Sequence, residues 1–174
     1  MARQKMKKDD GGAQPSFPAA PTEAQYAASL ERGADEEVPA RVLLFFVEGA
    51  QYALPIDNAI EVMRPKSVTE VPRTPAFVLG VFSVRGDMIP VVDLSSRLGL
   101  VSKVPYDERK VVVAMVDGLK VAFVVEKLGG VREILMSELK PVEALFVKGT
   151  VNRDGRSILM LDSAKLLDFN LKPS

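Results

Sequence analysis

The chain has 174 residues, 47% of them hydrophobic, with 23 Lys plus Arg balanced by 23 Asp plus Glu. That length fits one ordinary domain or two small ones sharing a core, and the even charge argues against a surface built for nucleic acid or an anionic membrane. Histidine and cysteine are both absent, which excludes Ser-His-Asp and Cys-His nucleophile systems, His- or Cys-based zinc sites, phosphorelay histidines and disulfides.

Residues 1–40 carry Pro15, Pro18, Pro21 and Pro39, an acidic stretch from Glu31 to Glu37, and few large apolar side chains. Burial there cannot offset the entropy of ordering, so a flexible N-terminal tail is expected, with a helical stretch over 23–32. Its basic start runs into Asp9-Asp10-Gly11-Gly12 where a secretory signal would have an apolar core. No run approaches the roughly 18 apolar residues of a membrane span, so no direct membrane insertion is expected. A cytoplasmic setting is expected.

From Arg41 the character changes. Val42 to Val47 is an apolar run of strand length, Glu48-Gly49 a turn, and Tyr52, Leu54 and Ile56 alternate along the next strand. Asp57 is placed to cap a short helix in which Ile56, Ile60 and Met63 share a face before Pro65 stops it. Thr69 to Pro72 is a brief extended piece. Then come two strands, Phe77 to Val84 and Met88 to Val92, around a turn at Gly86. Pro90 lacks an amide proton, so the second of these is expected at a sheet edge or after a bulge. Asp93 then opens a helical turn carrying Leu94 and Leu98 inward, with Gly99 closing it.

The second half is a diluted copy of the first. An offset of 69 residues, without a gap, aligns Val42 with Val111, Val47 with Val116, Gly49 with Gly118, Ala53 with Ala122 and Val62 with Val131. It also aligns Pro72, Phe77, Val78, Gly80, Gly86, Ile89, Asp93 and Leu98 with Pro141, Phe146, Val147, Gly149, Gly155, Ile158, Asp162 and Leu167. These 13 identities over 57 positions compare with about four expected at usual residue frequencies. Two copies of one small β unit follow, each of about five short strands closed as a barrel or sandwich and packed against the other.

Positions shared by both copies are most simply structural. Those held by one copy are functional candidates: Arg85 is matched by Asp154, Glu61 by Gly130 and Arg64 by Glu133. Gly129-Gly130 lacks the spacing of a phosphate loop, Ser163-Ala-Lys165 is a poor Ser-Lys pair, and Asp35-Glu36-Glu37 lacks calcium-loop spacing. No catalytic constellation, metal site or cofactor is expected.

Three stretches resemble the CheW family, the scaffolds of bacterial chemosensory arrays. They are Phe45…Tyr52-Ala-Leu-Pro-Ile56…Ile60-Glu61-Val62, Pro75-Ala-Phe-Val-Leu-Gly80-Val-Phe-Ser-Val-Arg85-Gly86 and Ile89-Pro-Val-Val-Asp-Leu94. In the second half Leu145-Phe-Val-Lys-Gly149 and Ile158-Leu-Met-Leu-Asp162 match more loosely. The resemblance implies an all-β fold of two packed, five-stranded SH3-like barrels with short helices, here 41–105 and 106–170 within a domain over 41–170. It implies a non-enzymatic adaptor that couples the cytoplasmic tip of methyl-accepting chemoreceptors to the regulatory domain of a CheA-type histidine kinase. Residues matching Glu61, Arg85, Ala59 and Val131 would face the receptor. Those matching Val68, Leu79 and Gly80 would lie toward the kinase. The chain departs from the family in a longer tail and a shortened segment before Phe146. A small β-barrel module binding nucleic acid or a metabolite is the alternative reading, disfavoured by the neutral charge and the lack of an aromatic stacking set.

Overall fold

Four hairpins share one turn chemistry. Glu48-Gly49, Arg85-Gly86, Asp117-Gly118 and Asp154-Gly155 each place two successive residues at positive φ: 47° and 76°, 50° and 92°, 49° and 80°, 50° and 72°. These are two-residue turns of the I′ kind, whose twist matches that of the strands they join, and glycine takes the second position because a Cβ is disfavoured there. The computed structural model describes residues 38–173. In it the turns connect β1 (Ala40–Val47) to β2 (Ala50–Pro55), β4 (Val78–Val84) to β5 (Asp87–Asp93), β6 (Lys110–Val116) to β7 (Leu119–Val125), and β10 (Val147–Arg153) to β11 (Arg156–Leu161). The remaining strands are β3 (Ala59–Met63), β8 (Lys127–Ile134) and β9 (Lys140–Ala144), with short helices α1 (Leu94–Arg97) and α2 (Ser163–Leu167). The expected tail and its helical stretch lie outside the described residues, apart from 38–40, of which Ala40 opens β1.

The strands form a six-stranded sheet, β8-β1-β2-β11-β10-β9, and a five-stranded sheet, β3-β6-β7-β5-β4. The fold is all-β, with two SH3-like barrel subdomains, and the duplication is plain in the register. Parallel pairing of Ala53 with Met160 is matched by that of Ala122 with Val91, and both β4 and β10 carry a bulge one residue before Gly80 and Gly149. The expected division at 105/106 does not separate the barrels, however. The hairpin β1–β2 pairs with strands of the second half, and β6–β7 pairs with strands of the first. Each hairpin is apolar on both faces, so its second face can be buried only between layers. Leu43, Phe45, Tyr52 and Leu54 join the largest core cluster, while Val42, Leu44 and Ala53 fill the six-stranded barrel. Val111, Val113, Ala122 and Val124 fill the five-stranded one in the same way.

Two local expectations are corrected. Ile56–Asn58 is a single 3-10 turn, and Ala59–Met63 is a strand paired with β6 where a helix was expected. The pairing satisfies backbone groups along a β-branched segment for which a one-turn helix offers little. Pro90 lies in an interior strand, because β5 sits between β4 and β7; the parallel ladder to β7 begins one residue later, at Val91. The expected turn at Asp93 is present: its carboxylate accepts from the Ser95 amide at 3.1 Å and the Ser95 hydroxyl at 2.6 Å.

Between the barrels lies a buried arginine. Arg97, at the end of α1, is fully buried. Its guanidinium donates to the carbonyls of Leu166 (2.7 Å), Leu171 (2.6 Å), Asp168 (2.5 Å) and Lys165 (3.1 Å). It is held between the rings of Phe77 and Phe146, 4.4 and 4.3 Å from their centroids. Those phenylalanines are equivalent in the repeat, and Arg97 itself stands where the other copy has Leu166. Burial lowers the Arg97 pKa from its usual value, and the Asp168 carboxylate opposes the shift. Arg97→Met would leave four carbonyls without their donor and is expected to destabilise the fold by about 3–5 kcal/mol in urea denaturation. Arg97→Lys should recover less than half of this, since an ammonium can neither stack between the rings nor present a fork. A loss under about 1 kcal/mol for Arg97→Met would mean that water replaces the guanidinium.

Candidate partner-binding site

Two surfaces of the five-stranded barrel gather most of the residues singled out in the sequence. At its mouth, Glu61 is carried by β3, opposite Val113 of β6, and Arg85 by the β4–β5 turn. The Arg85 Nη2 donates to the Glu61 Oε2 at 3.0 Å, with side chains 81% and 21% exposed. Lys120 pairs with Asp87 beside them. Ile60 and Val62, which flank Glu61 on the edge strand, are exposed. Ala59 lies on the same strand, half-buried against the core between the barrels. Val131 is exposed on β8, in the other sheet, opposite Leu43 of β1. The fold thus joins Glu61 to Arg85 and keeps Ala59 close along the strand, but puts Val131 on the second barrel.

The other surface is an open groove of about 760 Å³ whose lining includes Val68, Leu79, Lys66, Tyr106 and Arg109. Thr69 and Val81 exchange backbone hydrogen bonds of 2.8 and 2.9 Å, which seat the 65–70 segment against β4. Gly80 permits that contact: it has φ +139°, and a Cβ there would lie 2.1 Å from the Thr69 carbonyl oxygen and 2.8 Å from Val68 Cγ1. Gly149 makes the corresponding, less extreme approach to Lys140, its Cβ position 2.6 Å from that carbonyl oxygen. Gly80 therefore shapes the groove from beneath, and Val68 and Leu79 supply its apolar surface. Tyr106, whose hydroxyl donates to the Lys66 carbonyl at 2.9 Å, and the Arg109–Asp93 ion pair at 3.2 Å close the far wall. Burial raises the Tyr106 pKa. Tyr106 and Arg109 come from the 98–110 connection, and nothing in their sequence spacing marked them. Among the described residues there is no cluster of three or more metal-binding side chains, and no helix is long and apolar enough to cross a membrane.

The family model of the CheW-like domain matches residues 41–170. The chain belongs to the CheW-like family of chemotaxis scaffold proteins. It is similar to the chemotaxis protein CheW of Thermotoga maritima, 35% identical over 73% of this chain and 87% of that one. The chemotaxis protein CheW of Helicobacter pylori is 32% identical over 67% and 70%. The crystal structure of the scaffolding protein TtCheW from Thermoanaerobacter tengcongensis matches with a TM-score of 0.72 and 26% identity, covering 79% of this chain and 98% of that one. The bulged β4–β5 hairpin and its turn, which carry the most distinctive residues, thus sit inside a CheW-like domain.

Two stability measurements separate scaffold from surface in this domain. Gly80→Ala should cost about 2–4 kcal/mol, since the new methyl meets backbone. Gly86→Ala, with open space around its Cβ position, should cost about 1 kcal/mol. Equal costs would show that the 65–70 segment yields freely. Removing the Glu61–Arg85 pair by Arg85→Ala should change stability by at most about 1 kcal/mol, because the Arg85 side chain is largely solvated.

Proposed function

We propose that this chemotaxis coupling adaptor is non-enzymatic, works in the cytoplasm, and holds two partners on the two surfaces just described. The regulatory domain of a CheA-type histidine kinase would dock on the groove, with Val68 and Leu79 in contact and Gly80 keeping the groove's shape. The cytoplasmic tip of a methyl-accepting chemoreceptor would take the barrel mouth, where Glu61 and Arg85 orient helix ends and Ala59 backs their strand. Exposed Val131 would extend that contact onto the second barrel.

The Glu61–Arg85 pair carries this reading. It belongs to one copy of the repeat alone, it contributes little to folding when solvated, and it lies among exposed apolar side chains on an edge strand. Charge fixes orientation while apolar contact supplies affinity. A receptor shift that alters the fit at one surface would alter affinity at the other through coupling free energy, without any bond being made or broken. Single contacts can be weak where an array multiplies them.

Calorimetric titration of the full chain against a CheA-type regulatory domain, and separately against a receptor cytoplasmic fragment, tests the assignment. Leu79→Asp should weaken kinase-domain binding at least about tenfold and spare the receptor, since a carboxylate would be buried without a partner. Arg85→Glu should do the reverse. If each variant weakens both partners alike, the two-surface scheme is wrong. If neither partner binds the unaltered chain, the coupling role through these surfaces falls.

A further inference from the structure

The mouth of the five-stranded barrel is closed by its own charges, Glu61 to Arg85 and Asp87 to Lys120. The 69-residue offset maps these four positions onto Gly130, Asp154, Arg156 and Gln51 in the six-stranded barrel. Neither ion pair can form there, because glycine stands for the carboxylate of one and glutamine for the ammonium of the other. Two apolar positions, Met63 and Val84, have meanwhile become Arg132 and Arg153, and Ile60 has become Gly129. The result is an open cavity of about 550 Å³, lined by Arg132, Arg153 and Arg156 over the core side chains Leu44 and Ile158.

The arginines are held in an arrangement that folding alone does not favour. Arg153 and Arg156 are direct partners across the β10–β11 hairpin, and like charges in that relation are destabilising. Glu138 restrains Arg153 at 2.7 Å. Arg132 and Arg156 form no ion pair among the described residues, although Glu133 and Asp154 line the same cavity. Those carboxylates keep the net charge low, so a polyanion gains no long-range attraction, whereas a compact anion can bridge adjacent guanidinium forks. The volume falls in the usual range of about 300–1,000 Å³ for small-molecule sites.

We propose that the mouth of the six-stranded barrel binds a small oxyanion, a phosphate or carboxylate on a short organic stem, gripped by Arg132 and Arg156 with Arg153 as the tethered third donor. The cavity shares no lining residue with either proposed partner surface, although Val131 directly precedes Arg132 on β8, and its test does not depend on them. All three guanidiniums are exposed, so binding weakens as salt rises.

The full chain is titrated calorimetrically at low ionic strength with inorganic phosphate and, in a second arm, with citrate, against chloride at matched ionic strength. One anion per chain is expected. Arg132→Gln and Arg156→Gln should each lower the association constant by about tenfold, while Lys103→Gln, on an exposed loop elsewhere, leaves it unchanged. Tighter phosphate identifies a phosphate-bearing ligand, and tighter citrate a carboxylate one. Binding of neither anion, or binding undiminished in the doubly substituted chain, overturns the proposal. The thermal melt of Arg132→Gln should overlay that of the parent, and Arg156→Gln should melt at or slightly above it, since it relieves the like-charge contact with Arg153.

Discussion

The two repeats are fastened to each other through the Arg97 guanidinium. A full charge in an apolar interface is costly unless each of its donors is met. Here four carbonyls from Lys165, Leu166, Asp168 and Leu171 meet it, and two phenylalanine rings cover its faces. The carbonyls belong to α2 and the chain beyond it, so the end of the second repeat is fastened to the helix that ends the first. No apolar residue could do this, since the carbonyls at the end of a short helix need donors. Leu166, at the equivalent place in the other copy, packs without being asked to satisfy anything.

That fastening works together with the exchange of hairpins. Because β1–β2 completes a sheet made mostly of the second repeat, and β6–β7 one made of the first, neither repeat can fold its barrel alone. Separation of the barrels would expose the large cluster around Phe45, Leu54, Phe123 and Val125. A body so tied can carry binding surfaces on different faces whose mutual geometry is set by the core, which is what a scaffold requires.

The repeat also acts as an internal control on function. Turn glycines, the bulges before Gly80 and Gly149, and the helix-opening aspartates Asp93 and Asp162 recur because the backbone demands them. Gly80 belongs with them: its close approach to Thr69 sets the shape of the groove above it. The charges at the barrel mouths obey no such demand. One mouth neutralises itself through Glu61–Arg85 and Asp87–Lys120, and the other leaves arginines around a cavity, although the strands beneath are the same.

Much of this was readable from residues near one another in the chain. The four tight turns, most strands, the capped turn at Asp93, the duplication and the lack of histidine or cysteine chemistry all rest on local sterics or on composition, and Glu61 and Arg85 emerged from comparing one half with the other. The tertiary structure alone decided that Ala59–Met63 is a strand, that Pro90 lies inside a sheet, that the hairpins change places, and that Arg97 is buried. It also brought Tyr106 and Arg109 to the groove. The physical reason is range: backbone dihedral preferences act between neighbours, whereas the burial of a second apolar face or the satisfaction of a guanidinium depends on partners such as Met160 for Ala53 or Leu171 for Arg97, which only the folded chain brings together.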